Sequence, residues 1–387
     1  MYGWCDKCEA IALEGMCSEH GATKPISMIN SVDLRPLTKL EKQLLNDRME
    51  RMELGNGIFA VYGDRVYRRK IVTLDRPLVE VKLTNDGQLA VNQLATGKIE
   101  GMNIGSIFNA NRDRIERLTE TVKSFSRWEL ESSERAIISF SGGKDSTVLS
   151  YLLSEFKLRN VFIDTTIEFP ETYMFIRQLQ TQGWNIEIAK AKRSFFALLK
   201  ENGYPKYDNR WCCKTQKFEP FRRYIDEHFG EEPILVFSAE RRCEALSRLD
   251  QPLRKKHKYI PNQNTIQPLL DWLTMDIWIY TWKNRLPINE LYGYYDRGGC
   301  WTCPFGLRYR IFLMKCAHPK LYGVLEKVGL TSRAIVKKKP CAMNVGGRVV
   351  KTCDVYGHFY KNGSCFRCGS PAPLSEVLQP AVATSPQ

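Results

Sequence analysis

The sequence predicts an α/β fold built on a doubly wound parallel sheet, and three observations predict it. Residues 136–140, 160–164, 186–188 and 234–237 are short apolar runs, the length of strands buried on both faces. Segments with helical spacing separate them, as strand–helix alternation requires. A loop with two glycines, Gly142 and Gly143, joins the first run to the helical segment after it. That junction is where such a sheet carries its ligand.

The elements follow in order. Residues 1–25 are rich in cysteine and too few for an apolar core of their own. Residues 26–106 read as a small β-containing domain. Within it, residues 57–62, then Gly63-Asp64, then Arg65-Val66-Tyr67 have the form of a hairpin with a two-residue turn. Val79, Val81 and Leu83 alternate with Glu80 and Lys82, as in a half-buried strand. Residues 107–305 form the α/β domain. It opens on a helix to about Trp128, with Ile115, Leu118, Val122 and Phe125 on one face. A second helix is expected over residues 147–153, and a third from Pro170 to about Thr181. Residues 306–369 are a basic, Cys-containing extension, and residues 370–387 a tail rich in Pro, Ala and Ser, expected to be disordered.

The 387 residues are 43% hydrophobic and 26% charged, ordinary for a soluble globular protein. No run of eighteen apolar residues suggests a membrane span, and the first residues lack a secretory pattern. The expectation is a cytoplasmic protein with no membrane partner. The formal net charge is +14, which favours a polyanionic partner, nucleotide or nucleic acid, with a generally basic surface as the alternative. Between Gly306 and Pro340 lie nine Lys or Arg residues and one acid, Glu326. Tyr309, Phe312 and Tyr322 are interleaved with them, a pattern that suits RNA or DNA.

The loop has its own chemistry. Ser139, Ser141, Gly142, Gly143, Lys144, Asp145, Ser146 and Thr147 sit between a buried strand and a helix. Two glycines let successive N–H groups approach a ligand, and the helix start favours bound phosphate. The hydroxyls of Ser141, Ser146 and Thr147 add donors, Lys144 can neutralise phosphate charge, and Asp145 can help hold magnesium. The spacing is not that of the Walker loop.

Ser141-Gly142-Gly143-Lys144-Asp145-Ser146 after a strand resembles the signature of the PP-loop ATP pyrophosphatases, within them the PAPS reductase group. Residues 163–173 are similar to that group's second motif. Arg241, Glu244 and Arg248 keep the spacing of its Gly-x-Arg-x-x-Glu-Ser-x-x-Arg motif, with Ala239 and Ala245 in place of Gly and Ser. Pro268-Leu269-Leu270-Asp271-Trp272, with Asp276 and Trp278, is similar to its late motif. The resemblance covers about residues 108–305 and implies an adenine nucleotide alpha-hydrolase-like fold. It further implies adenine near Ile163 and Asp164, phosphates on the loop, and Arg241 and Arg248 facing an anionic group. Lys144, Asp145, Arg241 and Arg248 are the expected catalytic residues. ATP with magnesium, or adenylyl sulfate or its 3′-phosphorylated form, would be the nucleotide.

Thirteen cysteines, an odd number, suit metal better than a disulfide framework in so long a chain. Cys212-Cys213 and Cys300-x-x-Cys303 match the arrangement by which iron–sulfur members of the group hold one [4Fe–4S] cluster, with Lys214 placed to stabilise its charge. Zinc or unligated thiols are the alternatives. Cys5, Cys8, Cys17 and His20 have the spacing of a tetrahedral zinc site, a zinc-ribbon-like segment. Cys341, Cys353, Cys365 and Cys368, with His358 as a substitute, form a second zinc candidate or a mobile redox pair. Cys243 and Cys316 read as packed apolar residues.

Three functions compete. In the first, ATP adenylates a substrate oxygen, pyrophosphate leaves, and a sulfur from a donor protein displaces AMP. In the second, the chain reduces adenylyl sulfate or its 3′-phosphorylated form with a thioredoxin-like reductant. That reading conflicts with the intact loop and with the lack of a C-terminal Glu-Cys-Gly-Leu/Ile-His motif. The third is a non-catalytic nucleotide-binding regulatory module.

Overall fold

The computed structural model describes residues 2–26, 33–63, 70–84, 86–133, 135–205, 209–245, 248, 250–303 and 308–328, with the backbone of 342–345, 348–351, 360–361 and 364–365. The N-terminal strands β1 (Gly3–Cys5), β2 (Ala10–Ala12) and β3 (Lys24–Pro25) form a small antiparallel sheet in the order β2-β1-β3. Next, β4 (Arg35–Pro36), β5 (Ala60–Gly63), β6 (Lys70–Thr73), β7 (Pro77–Leu83) and β8 (Leu89–Gln93) make a five-stranded antiparallel sheet, order β8-β7-β6-β5-β4. Helix α1 (Lys39–Asn46) packs beside it, its start fixed by a capping box between Thr38 and Glu41.

The expected hairpin exists, but not its two-residue turn. Gly63 pairs with Lys70, so the return strand is β6, and residues 64–69 lie outside the described residues. Burial decides this register. It sets Val61 against Val72 and Tyr62 against Ile71, all inside. Val79, Val81 and Leu83 of β7 are buried and Lys82 is exposed, the alternation the sequence shows.

Helix α2 (Ile104–Glu131) starts at Asn103, whose Oδ1 accepts Gly105 N–H at 2.7 Å. Its buried face joins the N-terminal segment to the main sheet. Asn111 acts there as a substitute strand edge: Oδ1 accepts Leu13 N–H at 2.8 Å, and Nδ2 donates to Ile11 O at 2.7 Å.

The main sheet contains β9 (Ala136–Phe140), β10 (Arg159–Asp164), β11 (Ile186–Lys190), β12 (Ile234–Phe237), β13 (Arg254–Lys256) and β14 (Gln263–Ile266), in the order β11-β10-β9-β12-β14-β13. All neighbours run parallel except β13, which is antiparallel to β14 at one edge. Helices α3 (Lys144–Leu152), α4 (Pro170–Thr181), α5 (Phe195–Asn202), α6 (Glu219–Phe229) and α7 (Thr274–Lys283) follow its strands, then α8 (Arg308–Ala317) and α9 (Pro319–Lys327). This is the mixed α/β architecture with a parallel sheet that the sequence predicts. The chain winds from β9 outward through β10 and β11, then returns to pair β12 on the other side of β9. The switch point therefore lies at the carboxyl end of β9, where an open α/β sheet leaves a crevice.

The sequence reading missed β13 and β14. Asn262-Gln263-Asn264-Thr265 is polar, yet Gln263 and Thr265 are buried. Gln263 Nε2 donates to Thr265 Oγ1 at 3.0 Å, which offsets part of the cost of burying the pair. Tyr309 and Phe312 correct another expectation. They are not exposed between basic residues but pack inward with Leu313, Met314 and Tyr295. The interleaving there is helix amphipathicity, with the apolar side of α8 turned to the core. Cys316, read as packed, is exposed, whereas Cys243 is buried. Among the described residues, no helix is long and apolar enough to cross a membrane.

Candidate functional site

The loop leaves β9 at Phe140 and enters α3 at Lys144. Gly142 has φ 66°, which a side chain would strain, and a Cβ there would also press on Thr172 and Ile176 at 3.2 Å. Ser141 Oγ and Ser146 Oγ lie 3.1 Å apart, and Ser146 Oγ and Thr147 Oγ1 each donate to Gly143 O at 3.0 Å. These bonds close the loop on itself. Gly143 caps α3 with no side-chain bond to the helix, so apart from Lys144 N–H, which Tyr292 takes, the N–H groups of the first turn are left to face an anion. Ser139, on β9, is half-buried beneath it.

Two residues hold the loop from outside, and the sequence reading named neither. Tyr292 Oη accepts Lys144 N–H at 2.9 Å. Asn289 Nδ2 donates to Gly142 O at 3.1 Å and to Thr172 Oγ1 at 3.2 Å. Their only sequence signal was an Asn and a Tyr in a segment following α7, which no periodicity distinguishes.

Beneath the loop lies a buried charge triad. Lys144 Nζ donates to Asp145 Oδ2 at 2.8 Å, and Asp145 Oδ1 lies 2.8 Å from Arg241 Nε, an ion pair without hydrogen-bond alignment. Burial opposes the charge on Asp145, but Arg241 and Lys144 hold its carboxyl well below the usual carboxylate range. Both oxygens of Asp145 thus face protein cations. Arg241 is 2% exposed and turned inward, donating to Thr274 Oγ1 and Cys243 Sγ, both at 3.0 Å. Arg248 is half-buried, bonded to Glu244 and 3.9 Å from Glu240. Asp164 ends β10 with its carboxylate accepting Thr166 N–H at 2.8 Å and Tyr173 Oη–H at 2.7 Å.

Cys212, Cys213, Cys300 and Cys303 come together beside the carboxyl end of β10. Trp301 N–H donates to Ile167 O at 3.1 Å and Cys303 N–H to Cys300 O at 3.2 Å, which fixes the Cys-x-x-Cys turn there. Phe195, Phe196, Trp211 and Trp301 enclose the thiols. Arg210 Nη2 donates to Cys213 Sγ at 3.2 Å. The Cys212 thiol, then Arg210 and Lys217, stabilise the Cys213 thiolate and lower its pKa, while burial pushes Cys300 up to about 12. Lys214 is exposed; the cation that faces these thiols is Lys217, four residues past Cys213 and on the same helical side. Cys300 Sγ also lies 3.7 Å from Thr165 Oγ1 and 3.5 Å from Glu168 Oε1.

The N-terminal quartet is tighter. Cys5, Cys8, Cys17 and His20 place their ligand atoms within 4.8 Å of one another. A tetrahedral zinc with bonds of about 2.3 Å to sulfur and about 2.05 Å to nitrogen requires S–S edges of about 3.8 Å and S–N edges of about 3.6 Å. Cys8 and Cys17 sulfurs are 3.7 Å apart, and His20 Nδ1 lies 3.5, 3.2 and 3.6 Å from Cys5, Cys8 and Cys17. Among the described residues this quartet alone is so compact; the Cys212 set is more open. Cys341, Cys353, Cys368 and His358 lie outside the described residues, as does the side chain of Cys365.

The phosphoadenosine phosphosulfate reductase domain family matches residues 135–305. Over 239 residues the chain is 32% identical to an uncharacterized protein of Methanocaldococcus jannaschii, covering 59% of this chain and 57% of that one. It is 30% identical over 180 residues to the adenosine 5′-phosphosulfate reductase of Geobacillus sp. (strain WCH70), covering 42% of this chain and 70% of that protein. A crystal structure of phosphoadenylyl-sulfate (PAPS) reductase from Candida auris, a phosphate complex, is similar with a TM-score of 0.39 and 22% identity, covering 50% of this chain and 96% of that one. The chain spans 57% and 46% of the lengths of two M. jannaschii relatives. With the family match over residues 135–305 and the 30% identical reductase relative, 70% of which is covered, the chain belongs to the phosphoadenosine phosphosulfate reductase domain family.

Proposed function

We propose that the protein binds ATP on the loop from Ser141 to Ser146, adenylates an oxygen of its substrate, and lets a sulfur nucleophile displace AMP. One observation carries this reading: the glycine loop at the end of β9, with no side-chain cap of its own on α3, stands beside four cysteines at the end of the adjacent strand β10. The substrate oxygen would attack the α-phosphorus, forming a P–O bond as the bond to pyrophosphate breaks. The incoming sulfur would then form a carbon–sulfur bond as AMP leaves with the oxygen. Free N–H groups at the start of α3 favour the departing charge. Lys144, supported by Asp145, Arg241 and Tyr292, sets the shape of the loop. Asp164 holds Thr166 and Tyr173 in place at the crevice where adenine would lie.

The more open spacing of Cys212, Cys213, Cys300 and Cys303 suits a [4Fe–4S] cluster better than one zinc ion, and Lys217 and Arg210 offset the charge of four thiolates. When bound, such a cluster would supply iron to hold a sulfur atom. Zinc on Cys5, Cys8, Cys17 and His20 would brace the N-terminal segment against α2. The net charge of +14 favours a polyanionic acceptor such as RNA or DNA, with a sulfur-donor protein as second partner.

Reduction of adenylyl sulfate is the second reading. The relative named adenosine 5′-phosphosulfate reductase, 70% of whose length is matched, favours it. Exchange of labelled pyrophosphate into ATP, in the presence of candidate acceptors, supports adenylation. Sulfite release from adenylyl sulfate with a thiol, without such exchange, selects the reductase.

A further inference from the structure

We propose that Arg297 grips the pyrophosphate end of the bound nucleotide, and that the five-stranded antiparallel sheet holds it in place through Asp296. This inference rests on the adenylating reading and names a residue of that same site.

Arg297 is exposed, and among the described residues its guanidinium makes no hydrogen bond or ion pair. It nevertheless stands at the phosphate loop. A Cβ built on Gly298 would lie 3.6 Å from Tyr292 Oη, and one built on Gly143 would lie 3.1 Å from the same oxygen. That hydroxyl also receives Lys144 N–H. The Tyr292 hydroxyl therefore bonds the start of α3 and lies near the backbone of the residue after Arg297. The charge of Arg297 reaches Asp145 below the loop and helps keep it ionised.

The loop's other cations are already engaged. Lys144 and Arg241 share Asp145, and both are buried. Together these three groups leave one net positive charge, and a polyphosphate tail carries several negative ones. An unpaired guanidinium at the rim supplies what is missing, and its planar fork matches two phosphate oxygens at once.

Gly298 and Gly299 follow Arg297, and Gly299 has φ 107°. A chain so flanked would wander unless tied down, and ordering it would weaken binding. The tie is Asp296. Arg35 Nε lies 3.2 Å from Asp296 Oδ2, while Arg35 Nη2 lies 2.6 Å from Glu41 Oε1. Lys70 Nζ joins at 3.2 Å from Glu41 and 4.0 Å from the centre of the Tyr309 ring. Arg35, Glu41 and Lys70 belong to β4, α1 and β6. The five-stranded sheet and α1 thus act on the site through a single carboxylate, with Asp296 as a positioning residue.

The test is calorimetric titration of the full-length, metal-loaded protein with inorganic pyrophosphate and, separately, with AMP. Arg297→Ala is expected to weaken pyrophosphate binding at least tenfold and AMP binding less than twofold. Arg297→Lys should recover only part of the loss. Asp296→Asn should weaken pyrophosphate binding severalfold, again with AMP binding kept. Pyrophosphate binding that is unchanged in Arg297→Ala, or an equal loss for both ligands, overturns the inference while leaving the adenylating reading intact. Wild-type protein that binds adenylyl sulfate but neither ATP nor pyrophosphate overturns both.

Discussion

Asp145 Oδ1 lies 2.8 Å from Arg241 Nε, beneath the glycine turn and out of reach of solvent. The pair joins the first turn of α3 to the segment after β12, so it fixes the two sides of the switch point relative to each other. Removing Arg241 leaves Asp145 with Lys144 as its one remaining cation and removes buried interactions of a charged group, together worth about 2 kcal/mol or more. Arg241→Ala is therefore expected to lower stability by about that amount in urea unfolding, as well as to weaken nucleotide binding. An unchanged urea midpoint would show the pair to be dispensable.

Lys144→Ala removes the second cation of the triad while touching no cysteine. Nucleotide turnover is expected to fall by about 100-fold or more, because Asp145 loses the cation that fixes the turn and the N–H donors aimed at developing charge lose their geometry. Iron and sulfide content should match wild type. Loss of iron along with turnover would mean that the residue acts on folding.

Cys212→Ser takes one thiolate from the open set and none from the compact one. The protein should lose its visible iron–sulfur absorbance yet keep one equivalent of zinc. Conversely, Cys8→Ser should lose that zinc, retain the absorbance, and expose the face of α2 around Asn111 to hydrogen exchange. Simultaneous loss of both metals from either variant would contradict two independent sites.

Glu41 gives a pH prediction. Burial works against its charge, but Arg35, Lys70 and the Thr38 N–H hold its carboxyl far below the usual carboxylate range. In the unfolded chain it takes up a proton near pH 4.3, about the ordinary glutamate value. Its stabilisation is therefore complete above that pH and is lost as pH falls toward the folded value. Glu41→Gln should cost about 3 kcal/mol at neutral pH, and the gap to wild type should narrow on acidification to about pH 3. A gap that stays constant would rule out ionised Glu41 as the cause.

The parallel sheet was legible because β9, β10 and β12 are apolar runs bounded by turns, and because Gly142 and Gly143 mark the loop between β9 and α3. Strand β14 was not legible, since its buried Gln263 and Thr265, bonded to each other, are polar and leave no apolar signal. The hairpin at Gly63 misled because turn residues are read locally, whereas burial across β5 and β6 sets the register. Lys217 was overlooked for Lys214 because adjacency in sequence is not adjacency on a helix; four residues are. Tyr292 and Asn289 reach the loop only through tertiary contacts nearly 150 residues apart in sequence, which no spacing rule anticipates.

The central claim is that the turn before α3 holds the phosphates of an adenine nucleotide. Titrating ATP into purified wild-type protein and into Gly142→Val tests it most directly, because a valine at that φ and beside Thr172 and Ile176 would reshape the loop and leave the cysteines alone. The account predicts saturable binding by wild type and at least a tenfold loss in the variant. Wild-type protein that binds no adenosine phosphate, or a variant that binds as well, would contradict it.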